Sequence, residues 1–528
     1  MIPARMSLAD CARAAAAAHR RARAIKPPAP SPMRRRNLGY KGADLNRLTY
    51  DWIASRVPAD EEIRGPFARL RARARDLARN NPYVRQYLNL LRVNVIGPTG
   101  ARLQARVKNN DGRPNKMMND KIERAWADWS KAPTVDGKQD LAEFQQLAVE
   151  TVAKDGEAVI LLHRAYDNPY GFALEAVDPD QLDETYHRPP GERLPEIRMG
   201  VEVDVYGRPL AYHLWDGPLF AGFPQPERKR LRIAADRVIH LYRMDRPNLT
   251  RGVTWLAPVM FALNMLDGYE DAEITACRLA ASAMGVFTRK DAGAEAPMGE
   301  NNQVDFEANP GSFMFAPEGY DLTSWDPQHP NANYQAFVKG ALRKIASGLG
   351  LSYNVLANDL EGVNYSSMRS GLGIERDLWK TNQRWWICAF LQPIYAAWLD
   401  MSLLTGGLVL DTRAPSRFLD VRWVPRGWPP VDPLDDTDAG IKEVQTGLGT
   451  RTEMLAEQGR DFEETLELLK QEKELASEYG VDISGPKSEV TSKKPAGAKE
   501  KEAPDEDEEE RTARNRVAAL VNGRNGHA

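Results

Sequence analysis

The chain has 528 residues, enough at roughly 150 residues per domain for about three or four domains and more than one buried core. Hydrophobic residues make up 42% and charged residues 27%, which excludes a wholly disordered or collagen-like chain, and a formal net charge of -3 argues against a generic cationic nucleic-acid coat. That balance conceals opposite ends: residues 1–47 carry eleven Lys and Arg against Asp10 and Asp44, whereas residues 500–510 hold eight carboxylates against Lys501.

The basic leader, interrupted by Pro27, Pro28, Pro30 and Pro32 and followed by Arg34-Arg35-Arg36, reads as a flexible arm rather than a transit peptide. Residues 64–92 read as a helix interrupted at Pro82, with Leu70, Leu77, Val84, Leu88 and Leu91 near helical spacing. Further helices are predicted over 117–131, through Ile122, Trp126 and Trp129, and over 141–154, through Phe144, Ala148 and Val152. From Glu157 the period changes, and 157–164, 172–176 and 237–242 read as strands. Val201-Val203-Val205 and Leu210-Tyr212-Leu214 flank Gly207-Arg208-Pro209 and predict a hairpin. Residues 46–253 therefore make one α+β body.

A long helix is predicted over 254–283, with Leu256, Val259, Leu263 and Leu266 on one stripe, Pro258 in its first turn, and Asp267, Glu270, Asp271 and Glu273 in its middle. A small insert follows, with strands expected at 286–287, 312–316 and 320–325 around a Gly/Asn/Pro-rich stretch, 291–311. Residues 332–349 predict a helix with Phe337, Val338, Leu342, Ile345 and Leu349 on one face and Lys339, Arg343 and Lys344 on the other. The polar stretch Ser352 to Ser366 reads as a loop long enough to be functional. Ser366 or Ser367 then caps a long helix to about Asp400, kinked at Pro393.

Trp385 to Leu410 is apolar enough to raise a membrane span. Gln392, Pro393, Asp400 and Gly406-Gly407 instead favour a buried core helix, since a central Asp alone costs about 2.5–3.5 kcal/mol on insertion. Trp423 to Pro433 reads as a proline-rich connection, 436–478 as helical, and the Lys/Glu/Pro/Ser composition beyond 482 as a disordered tail.

The chemistry-bearing motifs are missing. The sequence has no phosphate-binding loop, no HExxH, no GxSxG and no dinucleotide fingerprint. Cys11, Cys277 and Cys388 encode neither a disulfide framework nor a zinc cluster and suit a reducing compartment. His163, His213 and His240 read as satisfied strand histidines, Asp178–Asp180 and Asp359–Glu361 as turn residues, and the arginines at 69, 71, 73 and 75 as a solvated face.

The element order is accompanied by local strings: Ala74-Arg75-Asp76-Leu77, Asn80-Asn81-Pro82-Tyr83, Asn94-Val95-Ile96-Gly97, Asp155-Gly156-Glu157, Asp236-Arg237-Val238-Ile239-His240, Asn364-Tyr365-Ser366-Ser367-Met368-Arg369 and Gly459-Arg460-Asp461. Together, over about residues 48–476, they resemble the lambda-type family of bacteriophage portal proteins. The resemblance implies an α+β portal fold: a basic arm at 1–47, a wing at 48–253, a stem helix at 254–283, a small α/β clip at 284–331 and a second stem helix at 332–350. A tunnel loop at 351–366, a long kinked wing helix and connection at 367–431, a helical crown at 432–482 and a charged tail at 483–528 would complete it.

It further implies a virion protein assembled in the bacterial cytoplasm, a homo-oligomeric ring of about twelve subunits at one capsid vertex. Such a ring meets terminase, the major capsid protein or scaffold, and a head-completion (adaptor) protein, and passes double-stranded DNA without sequence preference. No catalytic residue, cofactor, metal or membrane contact is implied; ATP hydrolysis would belong to the terminase. Asn358, Asp359, Glu361 and Asn364 become tunnel-loop candidates. Lys339, Arg343 and Lys344 either face DNA or pair with the acids of the first stem helix. A nucleic-acid-processing enzyme, a membrane-associated protein and a non-viral nucleic-acid-binding scaffold are the alternatives that the residues alone leave open.

Overall fold

The computed structural model describes residues 54, 56–109, 111–191, 194–216, 229–282, 286–289, 320–323, 333–361, 365–410, 415–429, 432–460 and 462–481. The expectations for 1–47, 291–311, 312–316, Asn364 and 483–528 lie outside these residues. The chain divides into two compact units, Met1–Arg426 and Gly427–Ala528.

The first unit opens with α1 (Ala59–Arg64), α2 (Phe67–Asn80) and α3 (Pro82–Leu91). The bend between the last two is written in Asn81-Pro82. Asn81 is extended, its side chain accepts from Val84 N at 3.0 Å, and Pro82 sits at the first helical position, where its missing N–H costs nothing. The chain leaves α3 through a π-turn, Arg92–Ile96, that ends on Gly97 at φ +78°; Gln146 donates to the Gly97 carbonyl at 2.8 Å. Strand β1 (Arg102–Ala105), α4 (Lys116–Trp129) and α5 (Leu141–Asp155) follow. Asp140 and Glu143 close a capping box at the start of α5, and Gly156, left-handed at φ +94°, ends it.

The sheets are antiparallel. Strand β2 (Glu157–Arg164) pairs on one side with β3 (Phe172–Val177) and on the other with β8 (Val238–Tyr242). A four-stranded sheet runs in the order β4 (Glu196–Arg198), β5 (Val201–Val203), β6 (Pro209–Trp215), β7 (Arg230–Ala234). The 201–215 hairpin is thus present, with Gly207 at φ +81° in its turn and an irregularity in register at Glu202/Val203. Val159, Val177 and Val238 of the first sheet share a core with Val201, Val203, Tyr212 and Leu214 of the second.

Helix α6 (Met260–Ser282) starts later than the sequence pattern suggests. Residues 255–259 are turns instead, because Pro258 has no N–H to give and Thr254 Oγ1 takes the Leu256 N–H at 3.2 Å. Within the insert, β9 (Val286–Arg289) pairs antiparallel with β10 (Tyr320–Thr323). Helix α7 (Tyr334–Leu349) ends on left-handed Gly350. The next stretch is not wholly a loop: α8 (Tyr353–Ala357) forms inside it and buries Leu356.

Helix α9 (Tyr365–Trp386) is already helical at Tyr365, which places Ser366 and Ser367 within its first turn rather than at its cap. A π-turn, Ile387–Leu391, leads into α10 (Gln392–Thr405), whose first turn holds Pro393. A wider turn before a proline accommodates the ring and the absent N–H without ending the helix. Gly371–Thr405 is the helical stretch among the described residues that is long and apolar enough to cross a membrane. Its Trp379, Trp386, Phe390, Ile394 and Trp398 are instead in the core.

Trp126, Trp129, Tyr395, Trp398 and Trp423 form one aromatic cluster, with Trp126 and Trp398 edge to face at 5.1 Å. Trp423 arrives on β11 (Val421–Val424), which pairs antiparallel with β1, so part of the expected connection is a strand. The second unit contains α11 (Pro433–Thr446), α12 (Arg451–Glu457) and α13 (Phe462–Tyr479). A Thr450/Glu453 capping box starts α12, and left-handed Gly459 follows it. Leu455, Phe462, Leu466 and Leu469 are spaced to pack, yet Leu455 and Phe462 are only half-buried and Leu466 and Leu469 are exposed.

Candidate channel segment and its anchoring charges

Helices α6 and α7 meet through aromatic rings. Tyr269 stacks on Tyr334 with centroids 6.0 Å apart and lies 4.7 Å from Phe337. Near the base of α7, Gly348 stands where a Cβ would come within 2.5 Å of Val259 Cγ1, so a small residue lets α7 approach the turn that precedes α6. Phe261, Met265 and Ile274 on α6 and Phe337 on α7 remain exposed.

Beyond α7 the candidate charges converge. Lys339 Nζ lies 3.3 Å from Asp359 Oδ2 and 3.3 Å from Glu361 Oε2. Tyr353, on α8, donates its hydroxyl to Asp359 Oδ2 at 2.7 Å, and Asp359 Oδ1 accepts the Glu361 N–H at 3.0 Å. Asn358 turns the chain at φ +52°. The Tyr353 hydroxyl, the Glu361 N–H and Lys339 hold the Asp359 carboxyl below its usual range, and the two carboxylates raise Lys339. Arg343 lies over the Tyr353 ring at 5.5 Å, and Lys344 is exposed. Thus Lys339, Arg343, Asp359 and Glu361 come together, Lys344 is exposed on α7, Asn358 supplies the turn, and Asn364 lies outside the described residues. Tyr353 was not singled out by the sequence; its position six residues before Asp359, across one short helix, is the signal.

Two acids of α6, Asp267 and Glu270, have other partners within this chain. Asn81 Nδ2 donates to both oxygens of Asp267, at 2.7 and 2.9 Å, so the residue that caps α3 also holds the long helix. Glu270 faces Tyr83: burial and the Glu270 charge push the Tyr83 hydroxyl up to about 12, while burial and Asp267 raise Glu270.

A separate, buried charge cluster lies among α2, β2, β8 and the chain that precedes α6. Glu157, fully buried, accepts from Arg71 Nη2 at 2.7 Å, from Arg251 Nε at 2.8 Å and through a second, Nη2 contact of Arg251, and from His240 Nε2 at 2.9 Å. Arg71 continues to Asp180 at 2.6 Å, and Arg75 clasps Asp155 at 2.9 and 3.0 Å while reaching Asp178 and Asp180. Arg69 and Arg73 are exposed, so the expected solvated face holds for only two of the four arginines. The inward pair was hidden in the sequence because its carboxylates come from 155–180. Burial alone would raise the Glu157 carboxyl; Arg251, its hydrogen bonds from Arg251 and His240, and Arg71 together hold it well below the carboxylate range. Burial lowers His240, which donates as a neutral ring. His163 and His213 likewise meet Glu175 and Glu202, at 2.6 and 3.2 Å.

The sequence matches the family model described as phage portal protein, lambda family, over residues 45–383. The chain belongs to that family. A probable portal protein of Halomonas phage phiHAP-1 is 34% identical over 436 residues, 80% of this chain and 83% of the relative. Portal protein B of Escherichia phage lambda is 20% identical over 475 residues, 81% of this chain and 88% of the relative. A chain from the neck of an empty GTA particle computed with C6 symmetry aligns with TM-score 0.43 and 14% identity, covering 78% of this chain and 98% of that one.

The portal family is structural, and the family strings acquire physical roles here. Asn81 of Asn80-Asn81-Pro82-Tyr83 caps α3 and holds Asp267. Asp155-Gly156-Glu157 supplies two anions either side of a helix stop whose added Cβ would lie 2.5 Å from the Gly252 carbonyl. His240, closing Asp236-Arg237-Val238-Ile239-His240, reaches Glu157 from β8.

Proposed function

We propose that this portal protein assembles as a closed head-to-tail ring of about twelve copies at one capsid vertex, with double-stranded DNA passing through its centre during packaging and ejection. The observation that carries this reading is the helix pair α6/α7, joined through Tyr269, Tyr334 and Phe337 yet exposing Phe261, Met265 and Ile274. A neighbouring copy covers those side chains in a ring, and the charged segment after α7 then borders the lumen.

In this reading α6 and α7 are the stem, 284–331 is the clip that meets terminase and the head-completion protein, 351–366 is the tunnel loop, and 432–482 is the crown. Weak, exchanging contacts let DNA slide where a continuous basic groove would bind phosphate tightly. The capsid protein or scaffold meets the outer surface during assembly in the host cytoplasm.

Negative-stain microscopy and mass photometry of the purified full-length protein test the ring. Rings with a central hole are the expected result; monomers at every salt and protein concentration overturn it. Deleting Asn358–Glu361 should leave rings intact and impair packaging or DNA retention in an assembled-head assay.

A further inference from the structure

Buried Leu351 and Leu356 hold the near end of the segment after α7, and charge holds its far end. Leu360, between the two acids, is 64% exposed, and Glu361 is 75% exposed, so no apolar contact secures the far end of the turn. What secures it is Lys339, 29% exposed, with its ammonium shared between Asp359 and Glu361, and Tyr353, which grips Asp359 from the side. The Asp359 N–H adds a 3.1 Å bond to the Asn354 carbonyl. Two anions share the one ammonium, and Arg343, over the Tyr353 ring, and Lys344 stand exposed on the next turn of α7.

We propose that this cluster is a charge-exchange latch: Asp359 and Glu361 occupy the Lys339 ammonium in place of phosphate, and a DNA backbone that reaches Lys339 displaces them and frees residues 358–361. The proposal rests on the reading of these residues as bordering the DNA channel. Lysine suits the exchange because a flexible point charge accepts carboxylate or phosphate without the fixed fork geometry that would lock an arginine to one partner. Arg343 and Lys344 supply the positive field that brings phosphate close, and Asn358, already left-handed, is the pivot. The latch has two consequences. Lys339 is neutralised when DNA is absent, so the empty channel carries less positive charge than its sequence suggests. Contact with DNA changes the loop and the lysine together.

Amide hydrogen exchange on the full-length protein at low salt tests this, with Lys339→Gln, Lys339→Arg and Asp359→Asn beside the wild type. Lys339→Gln and Asp359→Asn should each speed exchange at Asp359 and Glu361 about two- to fivefold, the range set by partly exposed ion pairs, and Lys339→Arg should restore most of the protection. Amides at Leu342–Leu349 should not change, which shows that α7 remains folded. A short random-sequence DNA duplex should reproduce the acceleration in the wild type and add nothing in Lys339→Gln. Unchanged exchange in Lys339→Gln overturns the latch. Duplex that slows or leaves unchanged the wild-type loop overturns the exchange with phosphate. The variant comparison needs neither a ring nor DNA, so its failure is distinct from the appearance of monomers, which would remove the channel instead.

Discussion

Replacing Glu157 with glutamine keeps the shape of the buried cluster and removes its central charge. Arg251, fully buried, would retain Met199 O at 2.6 Å, Leu182 O at 3.4 Å and the Phe67 ring but no anion, whereas Arg71 keeps Asp180. Leaving a buried cation without its anion costs about 3–5 kcal/mol, a large fraction of the roughly 5–15 kcal/mol that holds a typical domain folded. At about 2 °C per kcal/mol, the low end for a large domain, Tm should fall by about 6–10 °C. Thermal unfolding of the full-length protein by circular dichroism, with a urea titration at neutral pH, reads both quantities. Glu157→Gln with Arg251→Met should recover part of the loss, since the stranded charge goes with it. A loss below about 1 kcal/mol, or a double variant worse than the sum of the two single ones, would refute the reasoning.

The same cluster fixes the pH dependence. His240 is lowered from its ordinary 6.5 and Glu157 from its ordinary 4.5, so both contribute stability above those values; a denaturant-midpoint series should fall first below about pH 6.5 and again below about pH 4.5, while a midpoint that rises on acidification contradicts it. Asn81→Ala loses the α3 cap and the Asp267 contact together, and should cost about 1–2 kcal/mol in urea unfolding, with Asn81→Asp failing to rescue because it sets a carboxylate against Asp267. Gly156→Ala meets both a left-handed backbone and the Gly252 carbonyl, so soluble yield should collapse on expression, while Gly207→Ala, at an open hairpin turn, should remain soluble. Trp398→Ala should cost about 3–5 kcal/mol by cavity formation; Trp398→Phe should cost less, because the Trp398 indole N–H has no hydrogen-bond partner among the described residues.

The parts legible in the sequence are those whose partners are close along the chain. The 201–215 hairpin needs only alternation and a Gly turn, and the helix starting at Leu141 announces itself through Asp140 and Glu143. Strands β1 and β11 are four residues each and find each other across most of the first unit, so neither has a local signature. Helix α6 begins at Met260 rather than Thr254 because Pro258 and the Thr254 hydroxyl stop the pattern that Leu256 and Val259 start. At the candidate site, composition marked Lys339, Arg343, Asp359 and Glu361 as charges, but it could not say that three of them bind each other within one chain. Arg71 and Arg75 show the converse: residues on a basic helix turned inward by carboxylates that only tertiary structure delivers.

The pairing of β1 with β11 also sets a timetable for biogenesis. At roughly 5–20 residues per second, the chain between Ala105 and Val421 takes about 15–60 s to leave the ribosome, and until then β1 lacks its partner and Trp126 lacks Trp398 and Trp423. An unpaired edge and an open aromatic surface therefore persist through most of translation, a period in which nascent chains on one message can meet. Such chains are then most exposed to premature association, before the fold that buries the edge and the rings has closed.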